Sequence, residues 1–185
     1  LWSPDRTVLT LWLDPGRVKR DLQPNLQLGA PLVSGSDFML QISGWPNAHG
    51  VRMVKSTQGL YTVSERDTLS PDPGNWTIES PKSATRGPVQ MSFYESLDYM
   101  LLQEALRVLD EKGNELAGTI RTGSGERSWE FIPDNNWLPG TYAIEIESRL
   151  EALAGNNINR LFDNDLSKPQ KKNPRDVYKK TFQVR

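Results

Sequence analysis

The sequence predicts an all-β protein made of short antiparallel strands. Apolar and polar side chains alternate with a period of two in many segments, as they do in half-buried strands. Thirteen prolines and fourteen glycines are spread along the 185 residues, which suits frequent turns between short strands. Hydrophobic residues make up only 36% of the chain, so we expect thin cores with much exposed edge.

Alternation locates the strands in chain order. We predict them at 7–14, 37–43, 60–65, 89–94, 106–110, 116–122, 128–133, 141–147 and 180–185. In 141–147, for example, Tyr142, Ile144 and Ile146 share one face of the strand. The Gly113-Asn114 pair between 106–110 and 116–122 predicts a hairpin turn.

One segment follows a helical period instead. In 93–108 apolar residues recur three or four positions apart, and Ser96 is available as an N-cap. Two interpretations fit this pattern: a helix that runs to residue 109, or a short helix at 97–103 followed by a strand from 106. The hairpin turn needs a strand on each side, so we predict one short helix.

The stretch Arg66–Trp76 carries the strongest boundary signal, because it holds two prolines and no periodicity. We therefore predict two domains, at 1–67 and 75–185. A second irregular stretch, 163–176, is polar and contains prolines, which indicates a long loop rather than a linker between domains.

The two predicted domains share a pattern of glycines and aromatic residues. Gly35 and Gly140 each come shortly before a strand that starts with an aromatic residue, Phe38 or Tyr142. Each of these strands is followed by a turn with alanine and glycine, at 48–50 and 154–155. The first domain is therefore interpreted as a partial copy of the second.

Three motifs of the second domain, at Phe93–Asp98, Phe131–Tyr142 and Glu151–Asn156, occur in an informative order. This order resembles that of the bacterial Ig-like domains of S-layer and other cell-envelope proteins, although Glu151 stands where that family usually has Asp, with one residue of extra spacing. The resemblance covers about 75–185 well, and 1–67 only as the later half of such a domain. It implies an antiparallel Ig-like β-sandwich of seven strands, in two tandem modules of which the first is partial, located in the envelope.

A partial domain exposes an apolar face that needs cover. Strands such as 7–14 and 37–43 carry aliphatic side chains, and each one fully buried stabilises a fold by roughly 1.5 to 3 kcal/mol. We therefore expect a segment of a parent protein, N-terminal to Leu1, to cover this face.

Charge and composition narrow the partners. The net charge is −1, yet the segment from Lys168 onward contains seven basic residues and only one acid, Asp176. Such a tail could bind anionic glycan, lipid or nucleic acid; we predict instead a solvated loop and no nucleic-acid partner. There is no cysteine, which excludes disulfides and thiolate metal sites, and no apolar run reaches the roughly 18 residues of a membrane span.

Motifs for common enzyme chemistry are absent from the sequence. His49 is the one histidine and lies in a predicted turn, which excludes a site with several histidine ligands. The "TGSGE" stretch has the wrong spacing for a serine nucleophile, and no phosphate-binding glycine loop is present. Paired carboxylates of a glycosidase lack a predicted cleft. We expect no catalytic residue and no organic cofactor.

Two weaker binding hypotheses concern ions. Asp163 and Asp165, or Asp134 together with Asn136, offer clustered oxygens of the kind that calcium takes, although such side chains also cap turns. Three basic residues, Arg17, Lys19 and Arg20, follow a turn and could bind an anionic ligand, although such loops are more often simply solvated.

The tryptophans suggest a carbohydrate hypothesis. Trp12, Trp76 and Trp129 lie in or beside predicted strands and are expected in cores. Trp45 and Trp137 are flanked by Pro, Asn and Gly, so we predict that this pair is exposed and available to stack on sugar rings, unless it plugs a sandwich end.

These expectations favour a non-catalytic structural or adhesive module, with other domains of its parent chain and protein or glycan of the envelope as partners. Two rival functions remain, a carbohydrate-binding module and an accessory domain of a larger hydrolase.

Overall fold

The computed structural model describes residues 2–3, 7–19, 22–47, 49–163 and 174–185. It confirms the all-β class, with 36% of residues in strands and 12% in short helices, and every strand pair is antiparallel. The chain forms two compact units. The large unit comprises Leu1–Trp12 and Thr68–Arg185, and the small unit comprises Leu13–Asp67.

The small unit contains two short helices and one two-stranded sheet. Its elements are α1 (Pro15–Val18), α2 (Gln23–Leu28), β1 (Asp37–Ile42) and β2 (Thr57–Thr62). The strand predicted at 37–43 is confirmed, and the one predicted at 60–65 begins three residues earlier than expected. The prediction of one helix in the whole chain is wrong, because α1 and α2 occur where no helical period marks the sequence.

The strand predicted at 7–14 is also wrong. Leu9 forms only an isolated bridge to Trp2, and Trp12, expected in a core, is 63% exposed. The segment is apolar on both faces, so its alternation does not select one side for burial. Its end is set by Asp14, whose Oδ1 accepts a hydrogen bond of 2.8 Å from the backbone N–H of Gly16 at the start of α1.

The large unit holds two sheets. Sheet A has the order β3-β4-β7-β6, and sheet B has the order β5-β8-β9. The strands are β3 (Thr77–Glu79), β4 (Val89–Ser92), β5 (Leu106–Leu109), β6 (Gly118–Thr122), β7 (Ser128–Pro133), β8 (Gly140–Glu147) and β9 (Val177–Val184). Short 3-10 turns lie at Pro73–Asn75 and Ser124–Glu126. Each of the six strands predicted between 89 and 185 overlaps an observed one.

Both sheets contribute to a single hydrophobic core. Sheet A buries Val89, Met91, Trp129 and Phe131, and sheet B buries Val108, Ile144, Ile146, Phe182 and Val184. The predicted burial of Trp76 and Trp129 is confirmed, at 4% and 0% exposure. The predicted alternation of buried and less buried residues is therefore observed in β7, where every second residue faces the core.

The predicted short helix is confirmed as α3 (Tyr99–Glu104), and a strand follows at Leu106. The N-cap is Asp98 rather than Ser96, and its Oδ1 accepts a hydrogen bond of 2.8 Å from the backbone N–H of Leu101. The alternative of a helix to residue 109 is wrong, because β5 pairs with β8 from Leu106 onward.

The turn predicted at Gly113-Asn114 forms, but the strands on its two sides belong to different sheets. Asp110 closes the turn by accepting hydrogen bonds from Lys112 and Asn114, and Leu109 bridges Glu115. Beyond this bridge β6 belongs to sheet A, whereas β5 belongs to sheet B. The turn is thus a corner between sheets, which a hairpin signal read from the sequence does not distinguish.

The small unit contributes no residue to the buried hydrophobic core of the described chain. One face of its sheet carries Phe38, Leu40 and Tyr61, which are 42%, 36% and 59% exposed. An isolated two-stranded sheet is marginally stable in water. The apolar face expected from the sequence is therefore present and exposed.

Among the described residues, no helix is both long and apolar enough to cross a membrane.

Candidate functional site

The motif at Glu151–Asn156 forms a buried structural tie. Asn156 is 2% exposed, its side-chain amide donates to the carbonyl of Leu69 (3.0 Å), and its Oδ1 accepts from the backbone N–H of Phe162 (2.9 Å). Gly155 has a φ of +77°, and a Cβ there would lie 2.8 Å from the Phe162 ring. The requirement for glycine and asparagine at these positions is therefore one of geometry.

The backbone of the motif at Phe93–Asp98 is hydrogen-bonded to the backbone of the motif at Glu151–Asn156. The N–H of Asp98 donates to the carbonyl of Glu151 (2.9 Å), and Leu97 bridges Ala152. Burial raises the pKa of the Glu151 carboxyl above its ordinary value of 4.5; the negative charge of Asp98 raises it further, and Arg160 opposes both. Asp98 itself is committed to capping α3.

A groove of about 410 Å³ runs beside this pair of carboxylates. It is lined by Met100, Leu101 and Trp12 together with the charged residues Asp98, Glu104, Arg149 and Glu151. Arg149 pairs with Glu147 (2.6 Å) and Glu104 (3.3 Å). Its hydrogen bond to Glu147 raises the pKa of the guanidinium, and the same bond lowers the pKa of the Glu147 carboxyl. The groove thus holds a surface ion-pair network around Arg149, next to the half-buried carboxyl of Glu151.

A smaller hollow of about 240 Å³ lies where Trp137 closes the core. Its lining includes Glu115, Pro133, Asn135, Asn136, Trp137 and Tyr142. These residues come from the corner between the sheets, the end of β7 and the start of β8. Unlike the groove, it carries one ionisable acid and no base.

The prediction that Trp137 is exposed is wrong, because its side chain is only 1% exposed. The indole N–H donates to the carbonyl of Gly87 (2.7 Å), and its backbone bonds to Ala84 (2.9 Å) and Thr85 (2.8 Å). The flanking Asn and Pro residues correctly indicated a loop, but this loop folds back over the core. Trp137 therefore plugs the end of the large unit and offers almost no surface for stacking.

The other residues predicted to bind ligands lie in the small unit. Trp45 is 39% exposed. Lys19 is half-buried, and its backbone carbonyl accepts a hydrogen bond from the side chain of Asn25. Arg20 and the side chain of Arg17 lie outside the described residues. The single histidine, His49, lies in an exposed turn, where its backbone N–H donates to the side-chain Oδ1 of Asn47 (2.9 Å).

The calcium hypothesis is only partly covered by the structure. Asp163 is half-buried, whereas Asp165 lies outside the described residues. Asp134 and Asn136 are both exposed. Within the described ranges, no three acidic or histidine side chains come together as a metal site would require.

Sequence reasoning did not single out Glu115, Asn135 or Tyr142 as neighbours of Trp137. Glu115 belongs to the corner, whereas Tyr142 is a strand residue paired with Phe182. Asn135 is close to Trp137 in the sequence, whereas Glu115 reaches this place through its bridge to Leu109 and the pairing of β5 with β8, for which the sequence carries no local signal.

Comparison of the chain with known protein families, curated protein sequences and solved structures finds no match.

Proposed function

We propose that the chain is a non-catalytic structural or docking module of a bacterial cell envelope. In this proposal, 75–185 forms an Ig-like sandwich and 1–67 is a partial copy of it. The proposal draws on the order of motifs in the sequence and on the single core that the two sheets share. Its partners are other domains of the parent chain and protein or glycan of the envelope.

The observation that carries the proposal is the use of Asn156. In the motif at Glu151–Asn156, the side chain of Asn156 forms its hydrogen bonds with Leu69 and Phe162, two backbone segments of the same unit. Catalytic polar groups are instead directed at a site where substrate can sit. A residue that is 2% exposed and whose side chain bonds to two backbone groups supports the fold.

The hollows support the same conclusion. In the larger groove Asp98 caps a helix and Arg149 is paired with Glu147 and Glu104, so these groups already have structural partners. The smaller hollow is lined by neither a histidine nor a serine nucleophile. Both are suited to contact rather than to chemistry.

A sedimentation assay tests the proposal. The purified chain is mixed with insoluble bacterial envelope fragments, centrifuged, and quantified in the pellet beside an unrelated protein of similar charge. A docking module should co-sediment and leave the polymers intact. Release of soluble sugars or peptides from the fragments would identify an enzyme, and failure to co-sediment would reject envelope docking.

A further inference from the structure

We propose that the hollow beside Trp137 binds a single ring of a neutral glycan. This inference deepens the docking role, on which it rests, by assigning a ligand class to one surface of the large unit. The residues that carry it are Glu115, Asn135, Asn136, Trp137 and Tyr142.

The base of the hollow is rigid and aromatic. The Trp137 indole is fixed by its hydrogen bond to Gly87, and it packs edge-on against Tyr142 at 5.0 Å between ring centroids. Tyr142 in turn stacks on Phe182 at 5.6 Å, and its hydroxyl donates to the carbonyl of Leu138 (3.1 Å). Since Trp137 is buried, the half-buried Tyr142 ring supplies the apolar surface on which a sugar ring can rest.

The rim of the hollow supplies polar groups with unused capacity. The side chains of Asn135, Asn136 and Glu115 are exposed, and none of them bonds to another described residue. Amides both donate and accept, and a carboxylate accepts, which matches the hydroxyl groups around a sugar ring. In the groove near Glu151, by contrast, the corresponding groups are engaged in ion pairs.

Charge and size restrict the ligand further. The lining contains one acid and no lysine or arginine, which disfavours phosphorylated, sulfated and carboxylated ligands. A volume of about 240 Å³ falls below the roughly 300 to 1,000 Å³ of sites for drug-sized molecules. One ring fits, and the rest of a glycan chain would extend into solvent.

Titration followed by amide NMR shifts tests the inference. The probes are chitotriose and cellotriose, which are neutral, with glucose 6-phosphate and calcium chloride as separate arms. We expect saturable shifts confined to 115–117, 133–137 and 142, with a dissociation constant of about 1 mM for so shallow a site. Replacing both rim amides (Asn135→Ala with Asn136→Ala) should weaken binding about tenfold.

Matched controls separate binding from folding. Asn75→Ala removes an exposed asparagine that does not line the hollow and should leave the affinity unchanged. Both the double variant and Asn75→Ala should unfold within about 0.5 kcal/mol of the parent chain, because the replaced side chains are exposed, so a loss of shifts would report binding rather than folding.

Three results would overturn the inference: no saturable shift with either trisaccharide, unchanged affinity in the double variant, or a response to calcium chloride or glucose 6-phosphate alone. The double variant also goes through the sedimentation assay. If it still co-sediments with envelope fragments while sugar binding is lost or absent, docking stands and occurs elsewhere. If even the unmodified chain stays in solution, docking itself fails, whereas the titration reports on the hollow independently.

Discussion

The side-chain amide of Asn156 donates a 3.0 Å hydrogen bond to the carbonyl of Leu69, which lies 87 positions earlier in the chain. The bond ties the beginning of the large unit's main segment to the loop that follows β8. Because Asn156 is buried, its side-chain amide cannot turn to water when the bond is lost.

Asn156→Ala should therefore lower the free energy of unfolding by about 1 to 3 kcal/mol, since it removes two hydrogen bonds made by a buried side chain. Urea denaturation followed by tryptophan fluorescence measures the change. Asn75→Ala serves as the control, because this exposed asparagine bonds to the exposed carboxylate of Asp72, and it should stay within about 0.5 kcal/mol of the parent. Equal losses in both variants would contradict the structural role of Asn156.

Trp137→Phe should cost about 2 to 4 kcal/mol, because it leaves a cavity in the core and removes the donor that satisfies the Gly87 carbonyl. The same substitution at Trp12, which is 63% exposed, should change stability by less than about 0.5 kcal/mol. Thermal unfolding by circular dichroism compares the two. A more damaging Trp12→Phe would reverse the assignment of core and surface.

Glu151 should make stability depend on pH in one direction. Its pKa is raised in the folded state, so the folded chain holds this proton more tightly than the unfolded chain. The resulting stabilisation is complete below the ordinary value of 4.5 and is lost as the pH rises through the folded-state pKa. Relative to the parent, Glu151→Gln should thus gain stability between pH 4 and pH 7.

Asp110 provides a control of opposite sign. Its hydrogen bonds to Asn114 lower the pKa of its carboxyl below 3.8, so its contribution is present above that value and is lost as the pH falls through the folded-state pKa. Asp110→Asn should be less stable than the parent at pH 7, with a difference that shrinks in acid. Denaturation midpoints of the parent and of both variants, measured between pH 3 and pH 7, test the two predictions. A variant whose profile runs parallel to that of the parent would contradict the prediction for that residue.

Ala84→Gly should stabilise the large unit by about 1 kcal/mol. Ala84 has a φ of +58°, a conformation that strains a side chain but not glycine. Ala117→Gly is the matched control, because Ala117 has no positive φ and should lose about 0.5 to 1 kcal/mol. Calorimetric melting of both variants would show opposite shifts, and shifts of the same sign would argue against strain at Ala84.

Hydrogen exchange should separate the two units. The amides of β1 and β2 lack a buried core beside them, so they should exchange about 100-fold faster than those of β7 and β8. Mass spectrometry of exchanged peptides measures this ratio. Similar protection in both units would indicate that the apolar face of Phe38 and Tyr61 is covered in solution.

The sequence predicted six of the seven strands of the large unit, most clearly where alternate residues are buried, as in β4 and β7, and it missed β3. In β7, Trp129 and Phe131 alternate with half-buried neighbours, and this alternation can be read directly from the order of the amino acids. At 7–14 both faces of the predicted strand are apolar, so the alternation does not indicate which face would be buried. Alternation is therefore the clearer guide where a core selects one face, whereas β1 forms from the same pattern with no buried residue.

The candidate site was less predictable. Trp137 was assigned to the surface from its neighbours in sequence, yet its burial depends on backbone bonds to Ala84 and Thr85, about 50 residues away. Likewise, Glu115 approaches Tyr142 because it bridges Leu109, which pairs with Ala143, the residue after Tyr142 in β8. Such relationships are set by topology, which composition and spacing do not encode.

The pairing between β8 and β9 should tolerate changes in the length of the segment that connects them. Their eight residue pairs, from Gly140 with Val184 to Glu147 with Val177, join strands separated by the segment 148–176. Loop-closure entropy grows only logarithmically, so doubling the length of such an excursion costs about 0.6 kcal/mol. A short peptide inserted into this connection should therefore leave the eight residue pairs of β8 and β9 intact.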